Sequence, residues 1–139
     1  MSDPRAVLER FYAAETVYLQ DGGDFGPMAA TLDPDCVMVQ PESLPYAGEW
    51  RGHDGYRRWM DAFGEAWTSL SVTDPKIFVA DESTVFSRST VVAKARATGA
   101  DVTYPLLQMI TVREDRIARI EPFYWDTHAT LAVLGKART

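Results

Sequence analysis

Residues 70–125 decide the fold: LSVTDPKIFVA (70–80), TVFSRSTVVAKARA (84–97), VTYPLLQMITVR (102–113) and RIARIEPFYW (116–125). Each run is rich in β-branched and aromatic residues, which suit a pleated, half-buried surface. The breaks between them are turn sequences: Asp81-Glu82, Thr98-Gly99 and Glu114-Asp115. Four long strands with such short connections predict an antiparallel meander, because a parallel return needs a long crossover.

Upstream of this stretch the apolar period changes from two to about 3.6. Tyr56, Trp59, Met60, Phe63 and Trp67 recur at helical spacing, which predicts a helix over 53–67 with one strongly apolar face. Asp54 falls in its first turn, where the helix dipole favours an acid. At the start of the chain, Asp3 reads as a cap and Pro4 as the first helical residue. Leu8, Phe11, Tyr12, Glu15 and Leu19 then share one face, apolar except for Glu15. Gly22-Gly23 ends that helix. A short helix is expected over 25–32, stopped by Pro34, and then a strand, CVMVQ, at 36–40. The segment PESLPYAGEWRG (41–52) reads as a loop with a brief strand around Tyr46. A last helix is expected at 127–134, ending at Gly135. Helices gathered before a run of antiparallel strands predict α+β, as one domain over 1–139. A curved sheet of this kind must cover one face with helices, and its concave side encloses packed side chains or a ligand cavity.

Composition narrows the function. The 20 acidic residues outnumber 14 basic ones, giving a net charge of −6, which disfavours phosphate backbones and anionic lipid. No nucleic-acid or membrane partner is therefore expected. One cysteine and two histidines leave little from which to build a zinc site or a disulfide framework. No segment reads as a secretory signal or a bilayer span, and the expected location is the cytoplasm. Six Tyr, six Phe and four Trp in 139 residues supply core area and also suit the walls of an apolar ligand pocket.

Three stretches carry a resemblance: YAGEWRGHDG (46–55), REDRI (113–117), and YWD (124–126) followed by Leu131 and Leu134-Gly135. In their order and spacing the chain resembles the nuclear transport factor 2-like superfamily, in its SnoaL-like branch, which includes polyketide cyclases and proteins similar to ketosteroid isomerases. The resemblance implies a cone: a curved antiparallel sheet wrapped by the N-terminal helices, with a pocket opening between the first and third. It also implies a homodimer through the outer sheet face and chemistry without a cofactor or metal. An inward carboxylate or histidine would move a proton, while Tyr, Trp or Asn groups steady a developing oxyanion. Two functions stand open. One is an enzyme of acid/base proton transfer (isomerisation, cyclisation or dehydration) on an apolar oxygenated molecule such as a polyketide, terpenoid or steroid-like ketone. The other is a non-catalytic small-molecule-binding or dimerisation module.

The resemblance matches Asp126 to a position that is often Asp, and cyclase members carry their acid three positions earlier. That position here is Phe123. Alternation puts Glu121 on the same strand face as Arg119, Phe123 and Trp125, so Glu121 is the leading candidate acid/base; its other reading is a rim glutamate paired with an arginine. Asp126 is a catalytic candidate or the N-cap of the last helix. Gln108, where related sequences often hold an acid or histidine, can orient a carbonyl or water, and Tyr104 shares its face. Tyr18, Trp59, Phe63, Tyr104 and Phe123 are the expected substrate-binding residues. Arg88 lies on a strand without acids, so a water-activating acid–arginine–acid set cannot be built there.

Overall fold

The computed structural model describes residues 3–135. In chain order the elements are α1 (Pro4–Asp21), α2 (Gly26–Ala29), β1 (Leu32–Gln40), β2 (Gly48–Arg51), α3 (Gly52–Ala66), β3 (Trp67–Val79), β4 (Thr84–Ala95), β5 (Asp101–Arg113), β6 (Arg116–Tyr124) and α4 (Thr127–Leu134). The six strands form one curved, unclosed sheet in the order β2-β1-β6-β5-β4-β3. The β3–β6 meander is antiparallel throughout, as its short turns require. The expected all-antiparallel sheet needs one correction: β1 runs parallel to β6. The long intervening chain makes a parallel return possible there.

The helices begin and end where local chemistry dictates. The Asp3 side chain accepts from the Arg5 N–H at 3.1 Å, Pro4 opens α1, and the Gly22 N–H closes it on the Tyr18 carbonyl. At the entry to α3, Gly52 takes φ 74°, a left-handed conformation that glycine adopts at little cost. A Cβ on Gly55 would stand 3.1 Å from the Trp50 backbone carbon. The expected helix over 25–32 shrinks to Gly26–Ala29, and the strand expected at 36–40 starts at Leu32 instead. Pro34 stops no helix. It lies in the irregular part of β1, where the register against β6 shifts between Leu32 and Val37. The brief strand is Gly48–Arg51, and Tyr46 sits in the turn before it. Trp67 leaves α3 to become the first residue of β3.

The core lies between the concave sheet face and helices α1 and α3. Leu8 and Phe11 of α1, Tyr56 and Trp59 of α3, and Val85, Ile110, Ile117 and Ile120 of the sheet are all buried in it. Arg113 closes a two-point ion pair on the buried Asp33, at 3.1 and 3.2 Å, and so ties the irregular start of β1 to β5. Fixed guanidinium–carboxylate geometry favours such pairs.

One irregularity governs the site. On β6, Val112 of β5 faces Ile117 while the next β5 residue, Thr111, faces Arg119. Ala118 is therefore an extra residue, a β-bulge, and a bulge inverts the side-chain alternation beyond it. Ile117 points into the core before the bulge, and Ile120 and Pro122 are the buried residues after it.

Candidate functional site

The bulge at Ala118 decides which side chains reach the concave face. Pro122 and Tyr124 line a cavity there, and Glu121 and Phe123 turn to the opposite face of the sheet. Glu121 pairs with Arg119 at 3.0 Å, which is the rim ion pair of its second reading. Phe123 is 52% exposed, beside Arg88, Leu107 and Trp125 in an open groove on the outer face. The strand face predicted for Glu121 is thus right, but that face is turned away from the cavity. Asp126 is the N-cap of α4: its carboxylate accepts from the Ala129 N–H at 3.0 Å. Tyr18 packs edge-on against Phe25, with ring centroids 5.4 Å apart, and lines neither lobe of the cavity.

The cavity has two contiguous lobes that share Glu15, Leu19, Leu70, Val72, Leu106 and Gln108. The outer lobe, about 320 Å³, lies between the C-terminal half of α1 and strands β3–β5; Tyr12, Ser87 and Ser89 add hydroxyls to its wall. The deep lobe, about 90 Å³, runs toward α3 and is bounded by Trp59, Met60, Phe63, Tyr104, Tyr124 and Gln40. Four of the predicted site residues therefore meet here: Gln108, Trp59, Phe63 and Tyr104.

Glu15 is the acidic side chain of this wall. It is held by the regular α1 spacing that also buries Leu8 and Phe11. Its Oε2 accepts from the Tyr56 hydroxyl at 3.3 Å. Burial pushes its carboxyl up from 4.5 to about 7, and the Tyr56 hydrogen bond opposes only part of that rise. Tyr56 is fully enclosed, and burial next to the Glu15 charge drives its own pKa well above the ordinary tyrosine range, so it acts here as a donor. The Tyr12 hydroxyl donates to Gln108 Oε1 at 2.8 Å. That bond engages the amide oxygen and leaves the Gln108 NH2 group for the cavity. Burial also raises Tyr12 and Tyr104 above the usual phenol range, so both hydroxyls stay protonated.

Sequence reading missed Glu15, Tyr12 and Tyr56 as site residues. The signal was present: Glu15 is the one acid on an otherwise apolar helical face, and a carboxylate carried into a core rarely lacks a task.

The fold is an α+β one, a curved, unclosed six-stranded sheet over N-terminal helices with a carboxyl in the apolar cavity between them. The chain belongs to the SnoaL-like domain family, whose model matches residues 8–120. Solved structures with the same fold include an NTF2-like protein from Burkholderia xenovorans LB400, 22% identical over 93% of each chain, with a TM-score of 0.80. TerC, co-crystallised with polyporic acid, is 19% identical over 94% of this chain and 98% of that one, with a TM-score of 0.78. A candidate polyketide cyclase from Pseudomonas putida KT2440 is 16% identical over 91% and 94%, with a TM-score of 0.73. No curated protein matches the chain. Among the described residues, no helix is long and apolar enough to cross a membrane.

Proposed function

We propose that this chain catalyses acid/base proton transfer on an apolar, oxygenated small molecule held in the two-lobed cavity, with Glu15 as the proton carrier. The observation that carries the reading is the Glu15 carboxyl, which lines both lobes and accepts from Tyr56, where burial pushes its pKa up to about 7. A group with that pKa is part ionised at neutral pH and can both take and return a proton. Tyr56 steadies the ionised form. Tyr12 fixes Gln108, whose amide then orients the ligand. The aliphatic wall of Leu19, Leu70, Val72 and Leu106 holds an apolar skeleton and strengthens each polar contact. The reaction classes that need only this machinery are isomerisation, cyclisation and dehydration, and a ketone of polyketide, terpenoid or steroid-like type suits the wall. The co-crystal of TerC with polyporic acid shows the fold holding a small molecule in another chain. Here the proton-carrier role passes from Glu121 to Glu15, because Glu121 faces away and is already paired.

The outer sheet face carries exposed Leu107, Phe123 and Trp125, and we assign it to pairing of two copies of this chain.

The test is exchange of solvent deuterium into a panel of enolisable ketones. Wild type is expected to accelerate exchange, with kcat/KM titrating near pH 7, and Glu15→Gln to lose the acceleration at unchanged fold. Ligand binding with no exchange by the wild type would leave the non-catalytic binding module as the function.

A further inference from the structure

The cavity wall is lopsided in charge. Glu15 lines both lobes and, among the described residues, no lysine, arginine or histidine lines either. Its side-chain partner is the Tyr56 hydroxyl, at 3.3 Å, and no ion pair among the described residues includes it. The other acids drawn toward the interior are matched: Asp33 holds Arg113 and Glu121 holds Arg119. Glu15 is thus a carboxylate carried into apolar space without a counter-charge, an arrangement that is costly until an opposite charge arrives. The rest of the wall suits a cation. Trp59, Phe63, Tyr104 and Tyr124 line the deep lobe, and aromatic rings attract cations most strongly where water is excluded. Ser87 and Ser89 line the outer lobe, and their hydroxyls supply neutral acceptors, which the three N–H donors of an ammonium group need.

We infer that the cavity binds hydrophobic amines as ammonium ions, with the cationic nitrogen on Glu15 where the two lobes meet and the hydrocarbon skeleton in the outer lobe. At about 320 Å³ the outer lobe is larger than the roughly 150 Å³ cavity that holds a benzene ring, and Leu19, Leu70, Val72 and Leu106 give it an aliphatic side. The deep lobe, about 90 Å³, has room for small substituents on the nitrogen. Charge sets the selectivity: a carboxylate of the same shape would meet Glu15 with like charge. The inference shares its cavity with the proton-transfer reading and does not rest on that chemistry. An ammonium on Glu15 holds the carboxyl ionised and keeps a ketone out, so such amines are expected to inhibit exchange. Binding must also follow pH. Around Glu15, Tyr12 of α1, Tyr56 of α3, Tyr104 of β5 and Tyr124 of β6 are all held above the ordinary tyrosine range by burial. The Cys36 thiol of β1 is pushed up to about 11, and β3 and β4 contribute no titratable group to the wall. Glu15 is therefore the group that changes charge between about pH 5 and about pH 8, and amine binding strengthens across that interval as it ionises.

The experiment uses the full chain and two probes of nearly one shape: 2-aminotetralin, whose amine stays protonated over that range, and the hydrocarbon 2-methyltetralin. Binding is followed by titration of tryptophan fluorescence. At about pH 8 the wild type is expected to bind the amine about tenfold more tightly than the hydrocarbon, the size of one charge-assisted hydrogen bond. Between about pH 8 and about pH 5.5 the amine is expected to lose about tenfold in affinity as Glu15 takes up its proton, and the hydrocarbon to lose none. Glu15→Gln is expected to abolish both the preference for the amine and its pH dependence while still binding 2-methyltetralin. An amine that binds no more tightly than the hydrocarbon at about pH 8 overturns the inference, as does an affinity that is flat with pH or unchanged by Glu15→Gln. The wild-type pH series decides the matter even if the variant folds poorly. The two readings of the cavity fail separately. Amine binding of this kind with no deuterium exchange into any ketone upholds the cation site and counts against proton transfer alone, and exchange that is undiminished at saturating amine overturns the cation site alone.

Discussion

Replacing Glu15 with glutamine should make the protein more stable, and by an amount that depends on pH in a defined way. The glutamine oxygen can still accept from Tyr56, so the substitution removes the charge and little else. Below about pH 4.5 the wild-type carboxyl is protonated in both folded and unfolded states, and the two proteins should melt alike. Between that pH and about 7 the unfolded chain ionises while the folded one holds its proton. Every pH unit in this window penalises folding by about 1.4 kcal/mol. Above pH 7 the penalty levels off at up to about 3 kcal/mol. With an unfolding entropy of about 2 cal/mol/K per residue, that corresponds to a Tm about 10 °C higher for Glu15→Gln at pH 8. The assay is a pair of thermal or urea melts at half-unit steps from pH 4 to 8. Two curves that run parallel across the whole range would refute the placement of a neutralised carboxyl in the cavity, and with it the proposed chemistry. The same variant should lose proton exchange, so stability and activity would move in opposite directions, as expected where a site holds a costly group for its function.

Glu121→Gln should leave exchange activity unchanged and alter stability by less than about 1 kcal/mol, since a partly exposed ion pair contributes little; activity and urea titration check both. Asp126→Asn should be silent, whereas Asp126→Ala should cost about 1 kcal/mol through loss of the cap on Ala129, read from thermal melts. Phe123→Asp should abolish the proposed pairing of two copies in sedimentation velocity without lowering exchange per chain; a wild type that sediments as a monomer at every concentration would refute pairing through that face.

Most of the framework was legible because its signals are local. The meander announced itself through β-branched runs and acidic or Gly-containing turns, and α1 and α3 through apolar spacing. Gln108 and Tyr104 were placed on the inward face by simple alternation along β5, which runs without a bulge through that region. Alternation grouped Glu121 correctly with Arg119 and Phe123, all beyond the bulge; its place in the cavity came from the family's acid position, matched here to Phe123, and that face of β6 is the outer one. Ala118 interrupts the register, and nothing in RIARIEPFYW marks it, there being no glycine or polar break at the bulge. The parallel partnership of β1 with β6 was likewise invisible, since it depends on strands far apart in the chain. Glu15 lay in plain view on its helical face, but its role depends on the enclosure that α3 and the sheet provide around it.

The parallel pairing of β1 with β6 also bears on the expected order of assembly. Leu32 pairs with Ile117 across the whole intervening chain, so β1 and β2 are expected to join last, onto an edge already formed. The β3–β6 hairpins close over short loops and can form quickly, while the β1 docking carries the large entropy of closing a long loop. Until that step the free edge of β6 is open to pairing with another chain. A refolding experiment should therefore show its slow, concentration-sensitive phase in probes on β1, and the wall that β1 contributes through Gln40 should be the last part of the cavity to close.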